Sequence, residues 1–285
     1  MGDIPIINIR QIKKEPDLEG SFSIRKLQEI LDGNPMIQKL HRHDFYFCLV
    51  LEKASGRHEV DFTPYTVSNH SIFFLRPGQV HLLSLDARTK GFILQFNADS
   101  VYINDPTTTQ LLRKASQTTL YEPTALESQQ LLPLLETIFQ EVNYKKEETE
   151  EMVRANLRIF FINLIRLQPS SPSLKHSSHT QEQLEKLSRL LETHISTSKQ
   201  VSQYASMMHL SAYQLNAITK SLVGKTCSQL INEHILLEAK RYLLATSNQI
   251  NQIAFHLGYE DVSYFIRFFK KHTGHSPEAF RHNFK

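Results

Sequence analysis

His41 and His43 are separated by one residue, so on a strand both side chains leave the same face, and His81 follows the turn at Pro77-Gly78. Neutral imidazoles can donate and accept hydrogen bonds, take charge beside an anion, or ligate a transition ion when ligand number and geometry allow. With Tyr46 they would line a polar mouth in otherwise apolar strands, the usual form of a small-molecule site. No nucleophile-plus-base pattern, Walker loop or dinucleotide fingerprint accompanies them, which argues against an enzyme. The expected ligand is therefore an organic effector, with no metal and no cofactor.

The elements that must position these residues read as β structure through residue 123. Phe45-Tyr-Phe-Cys-Leu-Val-Leu51, Ser71-Ile-Phe-Phe-Leu75 and Gly91-Phe-Ile-Leu-Gln-Phe96 are short apolar runs bounded by turn chemistry, as in an all-β sandwich or barrel. From Thr124 the period becomes helical. Leu131, Leu135 and Ile138 mark one apolar face and Met152, Leu157, Phe160 and Leu164 another, with the polar stretch 144–151 between them. An antiparallel helical hairpin over 124–168 is expected. Its second helix has more apolar circumference (Phe160, Phe161, Ile162, Leu164, Ile165) than one partner covers, which points to a homodimer. Residues 169–179 have linker composition, and Thr180 with Gln183 forms a capping box opening a further helix.

Beyond residue 180 one pattern occurs twice. Val201-Ser-Gln-Tyr-Ala205, Leu210-Ser-Ala-Tyr-Gln-Leu215 and Lys220-Ser-Leu-Val-Gly224 match Ile250-Asn-Gln-Ile-Ala254, Leu257 to Phe265 and Lys270-Lys-His-Thr-Gly274. The alanines stand 49 residues apart and the glycines 50, so the copies differ by one residue at the turn. A small residue in one helix, a short turn and a second helix ended by glycine describe a helix-turn-helix, whose second helix can enter a DNA major groove. On the first such helix Ser211 should be the cap and Leu215 should face the core, leaving Tyr213, Asn216, Ala217 and Lys220 outward. On the second, Asp261 should cap and Phe265 and Phe269 should be core, leaving Val262, Ser263, Ile266, Arg267 and Lys270. Asn216 could pair with adenine, Arg267 with guanine O6 and N7, an Ala217 methyl with thymine, and Lys220 with phosphate.

Charge agrees with double-stranded DNA as the partner. The chain of 285 residues carries a net charge of only +3, but residues 180–285 hold 12 Lys/Arg against 8 Asp/Glu, while the preceding 179 are slightly acidic. Two cysteines, Cys48 and Cys227, suggest no disulfide framework, and no apolar run approaches membrane-spanning length; a soluble cytoplasmic protein is expected.

Residues 180–285 closely resemble the DNA-binding domain of the AraC/XylS family of bacterial transcription regulators. The resemblance is carried by Ile231-Asn-Glu-His-Ile-Leu-Leu-Glu-Ala-Lys-Arg-Tyr-Leu-Leu244, Ile253-Ala-Phe-His-Leu-Gly-Tyr-Glu-Asp261, Arg267-Phe-Phe-Lys-Lys271 and Gly274-His-Ser-Pro-Glu-Ala-Phe-Arg281. It implies about seven helices, one of them holding two recognition helices about 34 Å apart for successive major grooves, with RNA polymerase as a further partner. The family often has arginine where Ala217 stands. His41-Arg-His-Asp-Phe-Tyr46, His58-Glu-Val-Asp-Phe62 and Pro77-Gly-Gln-Val-His81 resemble, less closely, the family's cupin-like sensor barrel. In metal-binding cupins a glutamate follows the histidine pair; here Phe47 to Leu51 fill that stretch, Glu52 comes late and Asp44 leaves the other face. The fold expected is α+β and multidomain: a cupin-like β-barrel over 1–123, a helical hairpin over 124–168, a linker over 169–179, and an all-α domain with two helix-turn-helix motifs over 180–285. The function expected is a sequence-specific DNA-binding transcription regulator, with activation the expected outcome. The alternative is a cupin metalloenzyme with an appended DNA-binding domain, which stoichiometric iron or manganese would reveal.

Overall fold

A computed structural model describes residues 6–7, 21–100, 102–168 and 178–284. They form two compact units, one within residues 5–169 and one within residues 170–285. The expected linker lies almost wholly outside the described residues.

The first unit contains β1 (Ile6–Ile7), β2 (Phe22–Lys26), α1 (Leu27–Leu31), β3 (Met36–His43), β4 (Tyr46–Lys53), β5 (Gly56–Val60) and β6 (Thr63–Val67). It continues with β7 (Ile72–Leu75), β8 (Val80–Leu85), β9 (Lys90–Phe96), α2 (Pro106–Ala115), β10 (Leu120–Tyr121), α3 (Ala125–Tyr144) and α4 (Thr149–Leu167). The strands make two five-stranded sheets, ordered β1-β3-β8-β5-β6 and β10-β7-β4-β9-β2. The two ladders are separate, so the β architecture is a pair of sheets rather than the closed barrel expected from the sequence. Closure depends on pairing between distant strands, which the strand-by-strand pattern does not specify.

β4 shows how the layers arise. Its run Phe47 to Leu51 is buried on both faces, unlike the alternating β3. Phe47, Leu49 and Leu51 join Phe73, Leu75, Leu83 and Leu85 in one core, while Cys48 and Val50 join Ile72, Phe74, Leu94 and Phe96 in another, beneath α3 and α4. An antiparallel strand covered on both sides reads as a continuous apolar run. Phe160, Phe161 and Leu164 of α4 are fully buried in the second core, with the Phe161 ring 6.0 Å from Phe74 and 6.3 Å from Phe96. The apolar surplus on this helix is thus largely spent on the sheet. Thr124 and Glu127 form a capping box at the start of α3.

The second unit is helical: α5 (Ser178–His194), α6 (Val201–Met207), α7 (Ala212–Val223), α8 (Cys227–Ala245), α9 (Ile250–His256), α10 (Val262–Thr273) and α11 (Pro277–Phe284). α5 begins ahead of the capping box expected at Thr180 and Gln183. α7 and α10 each end on a glycine in the left-handed region, Gly224 and Gly274, whose N–H groups donate to Lys220 O and Lys270 O. The residues Ile231, Ile235, Ala239, Tyr242 and Leu243 of α8 are buried and form the stripe around which the shorter helices gather.

Candidate functional site

The pairs α6–α7 and α9–α10 begin their turns identically. Leu210 N donates to Ala205 O at 2.9 Å and Tyr259 N to Ala254 O at 2.9 Å, while His209 and Gly258 hold the same left-handed position at φ 56° and 73°. The additional residue of the second copy is therefore Glu260, between Tyr259 and the cap Asp261. His209 is exposed, but at Gly258 an added Cβ would stand 1.6 Å from the backbone oxygen of Ser196. Lys199 Nζ donates to Gly258 O at 2.8 Å and Ser196 O at 3.2 Å, and lies 5.0 Å from the centre of the Tyr259 ring. The second turn is thereby fastened to the segment leading into α6.

On α7 the Ser211 hydroxyl accepts from Gln214 N at 3.1 Å and Gln214 Oε1 accepts from Ser211 N at 2.8 Å, the expected capping box. Leu215 and Thr219 are buried, while Tyr213, Ala217 and Lys220 are exposed along one stripe. On α10 the Asp261 carboxylate accepts from Ser263 N at 2.7 Å, Phe265 and Phe269 are buried, and Ser263, Arg267 and Lys270 form the exposed stripe. With the 50-residue offset, Tyr213 matches Ser263, Ala217 matches Arg267 and Lys220 matches Lys270. Tyr264 and Lys271 border the second stripe and are exposed too; helical spacing from Arg267 could have found Tyr264. Arg267 Nη2 is 3.9 Å from Asp261 Oδ2 and both side chains are about two-thirds exposed, a screened contact that leaves the guanidinium available.

Three expected positions differ. Val262, Ile266 and Asn216 are half-buried, at the edge of the stripes. Asn216 Oδ1 accepts from Cys227 N, the first residue of α8, at 3.0 Å, and its Nδ2 donates to Ala212 O at 3.0 Å. The amide edge expected to pair with adenine is thus committed to holding α8 on α7. The matching pair in the second copy is Ile266 and Pro277, the first residue of α11, and a proline has no N–H to satisfy. Replacing Asn216 with isoleucine should therefore cost about 1–2 kcal/mol by orphaning the Cys227 N–H. Adding Cys227→Pro should restore part of that, since proline is favoured at a first helical position. Thermal melts of the two variants check this: equal losses would refute the pairing. Arg281 donates to Leu243 O at 3.0 Å and Asn248 O at 2.6 Å, tying α11 to the end of α8.

A helix-turn-helix domain family matches residues 204–283, which span both helix pairs. The chain is 24% identical over 241 residues to the HTH-type transcriptional activator RhaS of Klebsiella pneumoniae, covering 85% of this chain and 86% of that protein. The chain is similar to transcription regulators of the AraC/XylS type. It is a DNA-binding transcription regulator. Among solved structures, an AraC-type regulator from Chromobacterium violaceum matches 38% of this regulator and 96% of its own chain, at 24% identity and TM-score 0.34. ToxT from Vibrio cholerae matches 92% and 98%, at 15% identity and TM-score 0.43.

In the β unit of this regulator His41, His43 and His81 come together, joined by His58. They lie on the adjacent strands β3, β8 and β5, with His41 opposite His81 in register. His41 Nε2 is 3.2 Å from His43 Nε2, His43 Nε2 is 2.8 Å from His81 Nε2, and His81 Nδ1 is 2.9 Å from His58 Nε2. The rings are closed in by aromatics: His43 stacks on Phe47 at 5.3 Å and His58 meets the Phe73 ring at 4.5 Å. Burial lowers the pKa of His41; burial and the charge of His41 push His58 down to about 3, and burial and the other three histidines hold His81 well below the usual range. Tyr46 does not join them. It leaves the opposite face of β4 from Phe47 and stacks on Phe96 at 5.6 Å, under the helices. His58 was missed because only strand pairing, not spacing along the chain, brings it to His81.

Proposed function

We propose that the protein activates transcription by docking α7 and α10, as the recognition helices of two helix-turn-helix motifs, in successive major grooves of a promoter. The observation that carries this is the pair of equivalent exposed stripes, each with lysine at the same place, Lys220 and Lys270, on the second helix of each copy. In this reading Arg267 reads guanine, the Ala217 methyl meets thymine, Tyr213 and Ser263 contact base edges or phosphate, and Lys220, Lys270 and Lys271 neutralise phosphates. Asn216 and Ile266 act indirectly, by setting how each recognition helix sits on the helix that follows it. The name of the Klebsiella relative, a transcriptional activator, supports activation. In this reading RNA polymerase is the partner at the promoter and the cytoplasm is the compartment. Selection of bound genomic fragments at physiological salt tests the proposal. It should enrich one motif with two elements a helical turn apart, placed beside promoters; unselective recovery would overturn it.

The β unit, over 1–123, serves in this reading as a cupin-like sensor, and the α3–α4 hairpin over 124–168 as the dimer contact. Met152, Ala155 and Ile159 recur at i, i+3 and i+7 on α4 and remain exposed, which supports a homodimer after Phe160 and Phe161 are spent on the sheet. Light scattering at micromolar concentration should give twice the chain mass, and Ile159→Glu should halve it. A monomer in the unsubstituted protein, with and without DNA, would contradict this part.

A further inference from the structure

We propose that His41, His43 and His81 bind a divalent transition ion of the zinc, nickel or copper class through their Nε2 atoms, with His58 holding His81 from behind. The inference is independent of the DNA reading and rests on where the ring protons can be. The carbonyl of Lys39 can only accept, so His41 Nδ1, 2.7 Å from it, carries the proton and the Nε2 of the neutral ring is bare. His43 Nε2 faces that bare nitrogen at 3.2 Å and His81 Nε2 at 2.8 Å. One N–H can lie along only one of these contacts. The other contact then leaves a ring lone pair without a donor among buried rings. An ion at the point of convergence turns each lone pair into a ligand bond.

The spacing suits it. Nitrogens about 2.0–2.1 Å from a zinc ion at tetrahedral angles stand roughly 3.3 Å apart, close to the His41–His43 separation. One ring nitrogen from each of the three histidines lies within 4.8 Å of the others, so small ring rotations complete the set. The outer contacts suit it as well. A ligating histidine usually donates its other ring N–H to a carbonyl or similar acceptor; Lys39 O serves His41, and His58 Nε2, 2.9 Å from His81 Nδ1, serves His81. His58 Nδ1, which then carries the remaining proton, is buried without a hydrogen-bond partner, so the ring is not held for any contact beyond His81. The expectation of no metal rests on the missing cupin glutamate. An all-imidazole set does not need it, and it selects zinc, nickel or copper over manganese, magnesium or calcium, which favour carboxylates. His58 and His81 are fully buried while His41 and His43 are each 5% exposed, so solvent reaches the set from the His41–His43 edge, where a water can take the fourth position.

The test uses tag-free full-length protein, stripped with a chelator and titrated calorimetrically with zinc, with manganese and magnesium in parallel. One zinc per chain should bind and survive gel filtration, and the other two ions should not. Cobalt(II) in its place should give the visible absorption of a tetrahedral nitrogen-ligated ion. His43→Ala and His81→Ala should each weaken zinc binding by roughly 100-fold or more, His58→Ala by about 10- to 100-fold, and the exposed His282→Ala not at all. Because an alanine in the interior can loosen the sheets, the stoichiometry and cobalt spectrum of the unsubstituted chain stand as evidence by themselves. Absence of stoichiometric zinc in that chain would overturn the proposal, as would unchanged affinity in a His43→Ala variant with an intact circular dichroism spectrum. Unchanged affinity in His58→Ala would remove the outer-shell role.

Discussion

Replacing Gly258 with alanine should abolish cooperative folding of the helical unit. The residue sits at φ 73°, where any side chain costs about 1–2 kcal/mol, and its Cβ would lie 1.6 Å from Ser196 O, a backbone atom that cannot move aside without displacing the lead into α6. Lys199 would lose its grip on both carbonyls in the same step. Strain of this kind, combined with a lost buried contact, belongs to the rare substitutions that cost more than about 4 kcal/mol. The companion change His209→Gly separates conformation from collision. His209 holds the equivalent left-handed position but is exposed, so glycine there should be neutral or stabilise by up to about 1 kcal/mol. Thermal unfolding followed by circular dichroism checks both. A Gly258→Ala protein that melts within a few degrees of the unsubstituted chain would mean that the α9–α10 turn is not clamped as described.

Arg267→Ala should cost about 1–3 kcal/mol on the selected site, roughly 5- to 150-fold in Kd, and should relax preference at one base pair. The guanidinium has the exposure and the position for this, one turn from Ser263 and Lys270 on the outer stripe, with only a screened contact to Asp261. Lys220→Ala should behave differently, weakening selected and random DNA alike and lowering the salt dependence, because a phosphate contact carries no sequence information. Equal losses for Arg267→Ala on selected and random DNA would reassign it to the backbone.

The helical unit was legible in the sequence where its structure is local. The Ser211–Gln214 capping box, the Asp261 cap, the glycine stops and the buried pair Phe265 and Phe269 all depend on residues within a turn of one another. What was not legible depends on the other end of a long-range contact. Asn216 has the side chain of an adenine reader, and nothing within its own helix reveals that Cys227 N occupies it. Comparing the two copies would have given a clue, since Asn216 and Cys227 correspond by the 50-residue offset to Ile266 and Pro277, and a proline has no N–H. Phe160 and Phe161 looked like surplus surface because their partners, Phe74 and Phe96, lie on strands some 60 to 90 residues earlier. The separation of the two sheets and the approach of His58 to His81 are hidden for the same reason: both follow from which strands pair.

Two equivalent helices are proposed to read one face of a duplex. A chemical-protection footprint of the purified full-length protein on its selected fragment tests it most directly. Two major-groove protections are expected about 10 base pairs apart on the same face, one lost when Tyr213 and Lys220 are both replaced by alanine and the other when Arg267 and Lys270 are. A single protected groove, or protection that both double variants reduce uniformly, would contradict it.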